Sequence, residues 1–397
     1  MRRNVVILAT LLGAALLAPQ AAQAVPSFTK QTGMACSGCH TAFPTLNQTG
    51  INFKKAGYRM GEMADQSPQN IGDVTLDGQF PLGFRLIGRL ADNKQTDKTK
   101  IDALHEVEIF IAGHPGDDLS VFAEVEGEEQ DLTTGGGAFA LAVKGAALGW
   151  HASPEFAVLA GYAPVFHADP YDTLADGGRR MTADHKGILD LKTRNGNKQR
   201  LRDPVQQINV TGQIGSVWYL AGISGGGKSS ALNGKKNGAD PGDYQARLAV
   251  DLPADVMVGG FYYGGTDTLT AGDDEFQVYG IDLRHDSGAL GATVLAAALW
   301  SEDDVAGVVD EVSGGYVEVL RPFDVGGRQL VPLVRYNWGD ADSATPATAT
   351  ALENAMRKTT LQVGYYPREN ARLTVEFTNY DEVVNNQRLV LGLDVAF

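Results

Sequence analysis

From residue 79 onward the chain alternates between apolar and polar side chains with a period of two, in short runs separated by turn-forming clusters. Strands that show one face to an apolar medium and the other to water have this pattern. Such runs fall at 79-91, 103-113, 119-129, 138-149, 156-166, 204-213, 216-224, 243-252, 256-265, 275-285, 289-300, 312-321, 328-338, 356-366, 371-380 and 387-397. The last is the clearest: Leu389, Leu391, Leu393, Val395 and Phe397 alternate with Arg388, Val390, Gly392, Asp394 and Ala396. On the first strands the same period puts Leu82, Phe84, Leu86, Val107, Ile109 and Val125 on the apolar face. Arg85, Arg89, Glu106, Glu108, Glu124 and Glu126 fall on the opposite one.

The connections sort these strands into hairpins. Tight turns sit at 114-117, 152-154, 215, 253-254, 286-288, 324-327 and 367-370, and longer polar loops fall between them, the longest at about 167-203. Short periplasmic turns alternating with long outer loops, and an even strand number, describe an outer-membrane barrel. The expected fold is all-β, an antiparallel barrel of about 16 strands. A soluble sandwich would also bury one face of each strand, but chain length, strand number and loop asymmetry favour the barrel. Inside it, Arg85 and Arg89 beside four glutamates read either as an ion-pair ladder holding the lumen together or as a path for cations.

The start of the chain sets the address. Arg2 and Arg3, the apolar run Val5 to Leu17 and the small-x-small Ala22-Gln23-Ala24 read as a secretory signal peptide over 1-24. No later stretch reaches the ~20 apolar residues of a membrane helix. The formal charge of −15 argues against nucleic acid and anionic lipid as partners and favours cations.

Two cysteines in an exported chain would suggest a disulfide, but theirs form Cys36-Ser37-Gly38-Cys39-His40, the C-x-x-C-H spacing of covalent haem attachment. Thiols three apart on a helical turn share a face and reach one porphyrin edge. The histidine that follows offers its imidazole to the iron as proximal ligand. The expected cofactor is therefore one covalently bound haem c. Met60, with Met63 as substitute, is the candidate distal ligand, since a thioether there completes His/Met ligation. Packing against haem or wall is the other use of these methionines, and a barrel histidine or an open sixth site stays possible. Residues 25-78 are too few for a core of their own, so this mostly helical segment is expected to borrow walls from the barrel at 79-397 and plug its mouth.

Two other features carry less. Gly222-Ile223-Ser224-Gly225-Gly226-Gly227-Lys228-Ser229 matches a phosphate loop, but a polar, glycine-broken stretch follows instead of a helix. No nucleotide partner is expected. Acidic groups at Asp169, Asp172 and Asp176, at Asp273, Asp274 and Glu275, and at Glu302, Asp303 and Asp304 read as solvated outer loops or as hard-oxygen ligands for divalent cations.

The run Val25-Pro26-Ser27-Phe28-Thr29-Lys30-Gln31-Thr32-Gly33-Met34-Ala35-Cys36-Ser37-Gly38-Cys39-His40, with Phe43-Pro44-Thr45-Leu46, Phe53-Lys54 and Gly57-Tyr58 behind it, resembles the monohaem porin–cytochrome c fusions. That family includes outer-membrane iron-oxidising cytochromes. The resemblance implies oxidation of extracellular Fe(II), an Fe(II):cytochrome c oxidoreductase activity, with the electron passed to a periplasmic cytochrome c. Two further readings fit the same features: electron export to an extracellular acceptor, and a solute-transport porin with a structural or sensory haem.

Overall fold

A computed structural model describes residues 28, 32, 34–59, 69–71, 74–76, 82–93, 98–116, 118–129, 139–174, 179–181, 201–225, 242–269, 272–305, 307–343, 357–381 and 387–396. Sixteen long strands form one closed antiparallel barrel. In chain order they are β1 (Leu82–Asn93), β2 (Lys98–Gly116), β3 (Leu119–Glu129), β4 (Phe139–Ser153), β5 (Phe156–Pro164), β6 (Pro204–Ile214), β7 (Val217–Gly225) and β8 (Asp243–Leu252). The second half comprises β9 (Val256–Leu269), β10 (Gly272–Ser287), β11 (Ala292–Val305), β12 (Val308–Leu320), β13 (Gln329–Ser343), β14 (Lys358–Arg368), β15 (Ala371–Tyr380) and β16 (Gln387–Ala396). Each strand pairs with its sequence neighbours, and β16 closes onto β1 from Arg388 opposite Asn93 to Ala396 opposite Arg85. A two-residue strand, Phe323–Asp324, folds back onto β13 in the β12–β13 connection. Closure satisfies every ladder and leaves no edge, which an apolar membrane demands.

The two-residue period sorts the faces as expected. On β8, Asp243, Gln245 and Arg247 are buried in the lumen while Tyr244, Ala246 and Leu248 face out. On β16, Val390, Gly392, Asp394 and Ala396 are buried and Leu389 and Leu393 are exposed; Phe397 lies outside the described residues. Outward-facing aromatics stack in pairs, Tyr279 on Trp300 and Tyr336 on Trp338. The luminal ladder forms with one change of partner. Arg85 reaches Glu108 at 3.2 Å and Asp394 at 2.9 Å, but Arg89 pairs with Asp102 at 3.0 Å rather than with a glutamate, because the register sets Asp102 opposite Arg89.

Two expectations about the outer connections are corrected. Asp273 to Glu275 and Glu302 to Asp304 are strand residues, because β9–β10 and β11–β12 stay paired up to Leu269 opposite Gly272 and Val305 opposite Val308. Asp303 is fully buried. Nor is the long β5–β6 connection a solvated loop over its described residues. Apolar Val165, Phe166, Tyr171 and Leu174 carry it into the lumen, where they join the barrel's main buried cluster. Gly222 to Gly225 of the phosphate-loop pattern are residues of β7, paired with β8 and β6.

Charge pins that inward strap. Asp169, 2% exposed, meets Arg247 at 2.9 Å, and Arg247 also holds Asp282 at 2.6 Å. Thr173 Oγ1 donates to Asp282, and its carbonyl accepts from Tyr316 Oη at 2.5 Å. Further on, Arg179 pairs with Glu318 at 2.6 Å, its carbonyl accepts from Arg372, and the Met181 amide donates to Glu376. The strap therefore touches β8, β10 and β12 and then β15. Asp172 belongs to this buried segment as well; Asp176 lies outside the described residues.

Arg247→Ala should remove the shared counter-charge of two buried carboxylates, a defect worth about 3–5 kcal/mol. The expected outcome is a lower unfolding midpoint on heat-modifiability gels, with a rise in planar-bilayer conductance as the strap loosens.

Candidate functional site

The cysteines fold as expected onto one turn. Helix α1 (Cys36–Cys39) places both thiols on one side, and no disulfide joins them. A small ladder follows, with His40 opposite Leu46, and then helix α2 (Gln48–Lys55). Asn47 ties these pieces together. Its side-chain oxygen caps α2 by accepting from the Gly50 amide at 3.0 Å. Its amide nitrogen donates to the Ser37 and Gly38 carbonyls at 3.2 and 3.1 Å, and its backbone N–H donates to Cys39 O. Gly50 is needed because a Cβ there would lie 2.2 Å from the Cys39 carbonyl oxygen.

Helix α2 ends in a Schellman motif. Gly57 is left-handed (φ 67°), the Gly57 amide donates to Lys54 O, and Tyr58 donates to Phe53 O. The accompanying apolar contact is between the Phe53 and Tyr58 rings, 5.9 Å apart. Phe28 stacks on Tyr58 at 5.1 Å. Tyr58 is itself left-handed (φ 63°), a costly conformation for an aromatic residue that its packing must hold.

Residues 36–58 lie across the short-turn mouth of the barrel. Ser37 donates to Glu369 in the β14–β15 turn, the Thr41 carbonyl accepts from Gln329, and Phe43 O accepts from Tyr366 Oη at 2.7 Å. Ala42 packs in a buried cluster with Leu320, Val331, Leu333 and Tyr366. Leu46 donates to Asp172 of the strap and accepts from Arg284. Lys54 donates to Asp169 O at 2.6 Å and Lys55 meets Asp251 at 2.7 Å. Tyr58 stacks on Phe122 of β3 at 6.4 Å. Ile51 is buried in the barrel's own core. This stretch does borrow its walls.

The His40 ring is held in one orientation. His40 Nδ1 lies 3.0 Å from the Pro44 carbonyl, which can only accept, so Nδ1 carries the proton and Nε2 keeps its lone pair. That second contact is what fixes the tautomer and the ring plane of a ligating imidazole. Burial pushes the His40 imidazole below its ordinary value, against the opposing pull of the Pro44 carbonyl and Asp172. It is neutral at pH 7, the form that binds iron. Burial also raises the Cys39 thiol. The donor set at Cys36, Cys39 and His40 thus fits a covalent haem: two half-exposed thiols on one turn and one oriented imidazole.

The other candidates fall elsewhere. Met60 and Met63 lie outside the described residues. His151 and His167 line a small cleft with Tyr58, Phe122, Leu159 and Trp218. That cleft lies at the far end of α2, whose 8 residues span about 12 Å, so neither imidazole shares the surroundings of His40. Sequence reasoning missed this cleft and the strap that roofs it. The only signal for the strap was an apolar scatter, Val165, Phe166, Tyr171 and Leu174, inside an otherwise polar stretch.

No family model and no curated protein matches the chain. Solved structures do. OmpF of Salmonella typhi in complex with daunomycin is similar over 80% of this chain and 97% of its own, at 13% identity and a TM-score of 0.56. An anion-selective porin from Comamonas acidovorans is similar over 80% and 98%, at 10% identity and a TM-score of 0.54. A loop-deleted OmpT of Vibrio cholerae covers the same shares at 14% identity and a TM-score of 0.53. The chain is an outer-membrane β-barrel of porin-like fold. At these identities the likeness shows architecture alone.

Gly50→Ala should force Cys39 and α2 apart while leaving the ladder intact. The expected result is protease cleavage within residues 36–58 from the short-turn side, with an unchanged gel shift of the folded barrel. Equal protection of both proteins would show that the close approach does not matter.

Proposed function

We propose that this barrel is an outer-membrane monohaem cytochrome c that carries electrons across the membrane, most directly by oxidising extracellular Fe(II) and passing the electron to a periplasmic cytochrome c. The observation that carries this reading is the C-x-x-C-H turn held in the barrel mouth, with His40 Nδ1 committed to Pro44 and Nε2 left for iron. A haem bound there supplies a one-electron carrier. Cys36 and Cys39 anchor it, His40 is the proximal ligand, and Met60, or Met63 in its place, is the proposed distal ligand. Ser37 and Glu369 hold the attachment turn at the short-turn rim, the side that faces the periplasm in outer-membrane barrels. Holding the carrier's anchor in the mouth shortens the path across an apolar band ~25 Å tall.

A second reading has its own support. The structural neighbours are porins, and one is described as anion-selective, so passage of solutes, with the haem structural or sensory, is the rival. Against it stand the strap at 165–174 and 179–181 and the plug beneath it, both fixed to the wall by ion pairs. The two readings part on conductance and on redox chemistry.

Fe(II) added anaerobically to the purified, oxidised protein should produce the sharp α-band of a reduced c-type haem. Cys36→Ala with Cys39→Ala should abolish haem staining on denaturing gels while the barrel still inserts. Large, steady conductance of the haem-loaded protein together with no reduction by Fe(II) would favour the porin reading. Met60→His should lower the reduction potential, because imidazole replaces a thioether that favours Fe(II); an unchanged potential would exclude Met60 as the distal ligand.

A further inference from the structure

The orientation of His40 starts within its own segment and does not end there. Its Nδ1 lies 3.0 Å from the Pro44 carbonyl, and its ring meets that of Phe43 edge to face, with centroids 5.4 Å apart. Both contacts run through the Phe43-Pro44 unit, so the imidazole is held only as firmly as that unit is.

What fixes the unit comes from the barrel. Tyr366 of β14, 323 residues further along the chain, donates its hydroxyl to the Phe43 carbonyl at 2.7 Å. Tyr366 is itself buried, in a cluster with Ala42, Leu320, Val331 and Leu333 against which Phe43 also packs. A buried carbonyl and a buried hydroxyl that have met are costly to separate, since each is then left unpaired. On its ring, Phe43 is covered by the Arg85 guanidinium, 5.6 Å from the centroid, a cation–π contact. Arg85 is held in turn: the fully buried Asp394 meets it at 2.9 Å and also meets Arg372 at 2.7 Å. Two consecutive carbonyls are thus divided between two partners. The wall takes that of Phe43, and the imidazole takes that of Pro44.

We infer that Tyr366 is a positioning residue for His40: through the Phe43 carbonyl it fixes the backbone that supplies the hydrogen bond at Nδ1, with Arg85 holding the Phe43 ring from its face. The inference rests on the haem reading above and deepens it. A hydrogen bond from Nδ1 to a carbonyl raises the basicity of a ligating imidazole, and such outer partners are one of the levers that set a haem potential. A more basic imidazole favours Fe(III) and so lowers the potential. Loosening the Phe43-Pro44 unit weakens that hydrogen bond and raises it. The potential of a group attached to the plug is in this way set partly by a strand of the barrel.

The test is Tyr366→Phe in the full-length, detergent-purified protein, which removes one hydroxyl and keeps the ring in its cluster. Each protein is first checked for the gel shift of a folded barrel and for haem staining on a denaturing gel. A redox titration of Tyr366→Phe should then give a higher potential than wild type. The low-temperature EPR spectrum of its Fe(III) form should shift as well, because the imidazole plane is no longer held. Tyr365→Phe, which removes a hydroxyl that meets Arg328 at the exposed rim, should leave both readings unchanged. Arg85→Lys keeps the charge beside Asp394 but gives up the flat cover on Phe43, and should also raise the potential; it is read alone should Tyr366→Phe lose its fold or its haem. A potential that does not rise, or an unaltered EPR spectrum, in the folded and haem-bearing variant overturns the inference and leaves the proposed function standing. Wild-type protein without covalent haem overturns the proposed function, and this inference with it.

Discussion

A closed ladder of sixteen strands encloses more space than its own side chains can fill, and everything else in this molecule answers to that. Here the space is crossed by chain, and the crossing is held by charge. Arg247, buried between Asp169 of the strap and Asp282 of the wall, is the central tie. Around it the strap also exchanges hydrogen bonds with Tyr316, Glu318, Arg372 and Glu376. Removing water from such pairs is expensive, and the pairs are retained only where geometry satisfies both partners. The return is specificity of position: a strap tied down by such pairs can dock in one register only.

That strap is also what receives the plug. Leu46 and Lys54 bond to Asp172 and Asp169, so the loop after β5 and the segment around His40 are positioned by each other. Lys55 adds a tie to the end of β8, and Ser37 and Phe43 add two more at the end of β14 and its turn. A stretch this short has too little apolar surface to fold unaided, and Ile51 accordingly packs in the barrel's core rather than its own. Plug and barrel are in this sense a single object. The orientation of His40 depends on a Pro44 carbonyl whose neighbour Phe43 is pinned by Tyr366 and covered by Arg85.

How much of this was legible beforehand follows from which forces are local. Strand faces were readable because a period of two is written in every strand, as Leu389 to Ala396 shows, and because turns carry their own residues. The turn that holds Cys36, Cys39 and His40 was readable because it is contained in five consecutive positions. The strap was not, since Asp169 and Asp172 look like loop acids until Arg247 and Arg284, far along the chain, are brought beneath them. Strand ends were missed for a related reason. Asp273 to Glu275 and Glu302 to Asp304 are polar enough to read as loops, yet hairpin pairing across β9 to β12 carries the ladder through them. The bulge at 103 to 105 of β2 is invisible to periodicity, because it is the place where the period fails.

The proposed function stands or falls with a covalent haem on the turn from Cys36 to His40, inside a porin-like barrel. Intact-mass spectrometry of the protein purified from outer membranes, under denaturing conditions, addresses it without reference to any donor or partner. The expected result is the mass of the processed chain plus one haem, with the added mass mapping to the peptide that contains Cys36 and Cys39. A processed chain at its bare polypeptide mass, with both thiols open to alkylation, would contradict it.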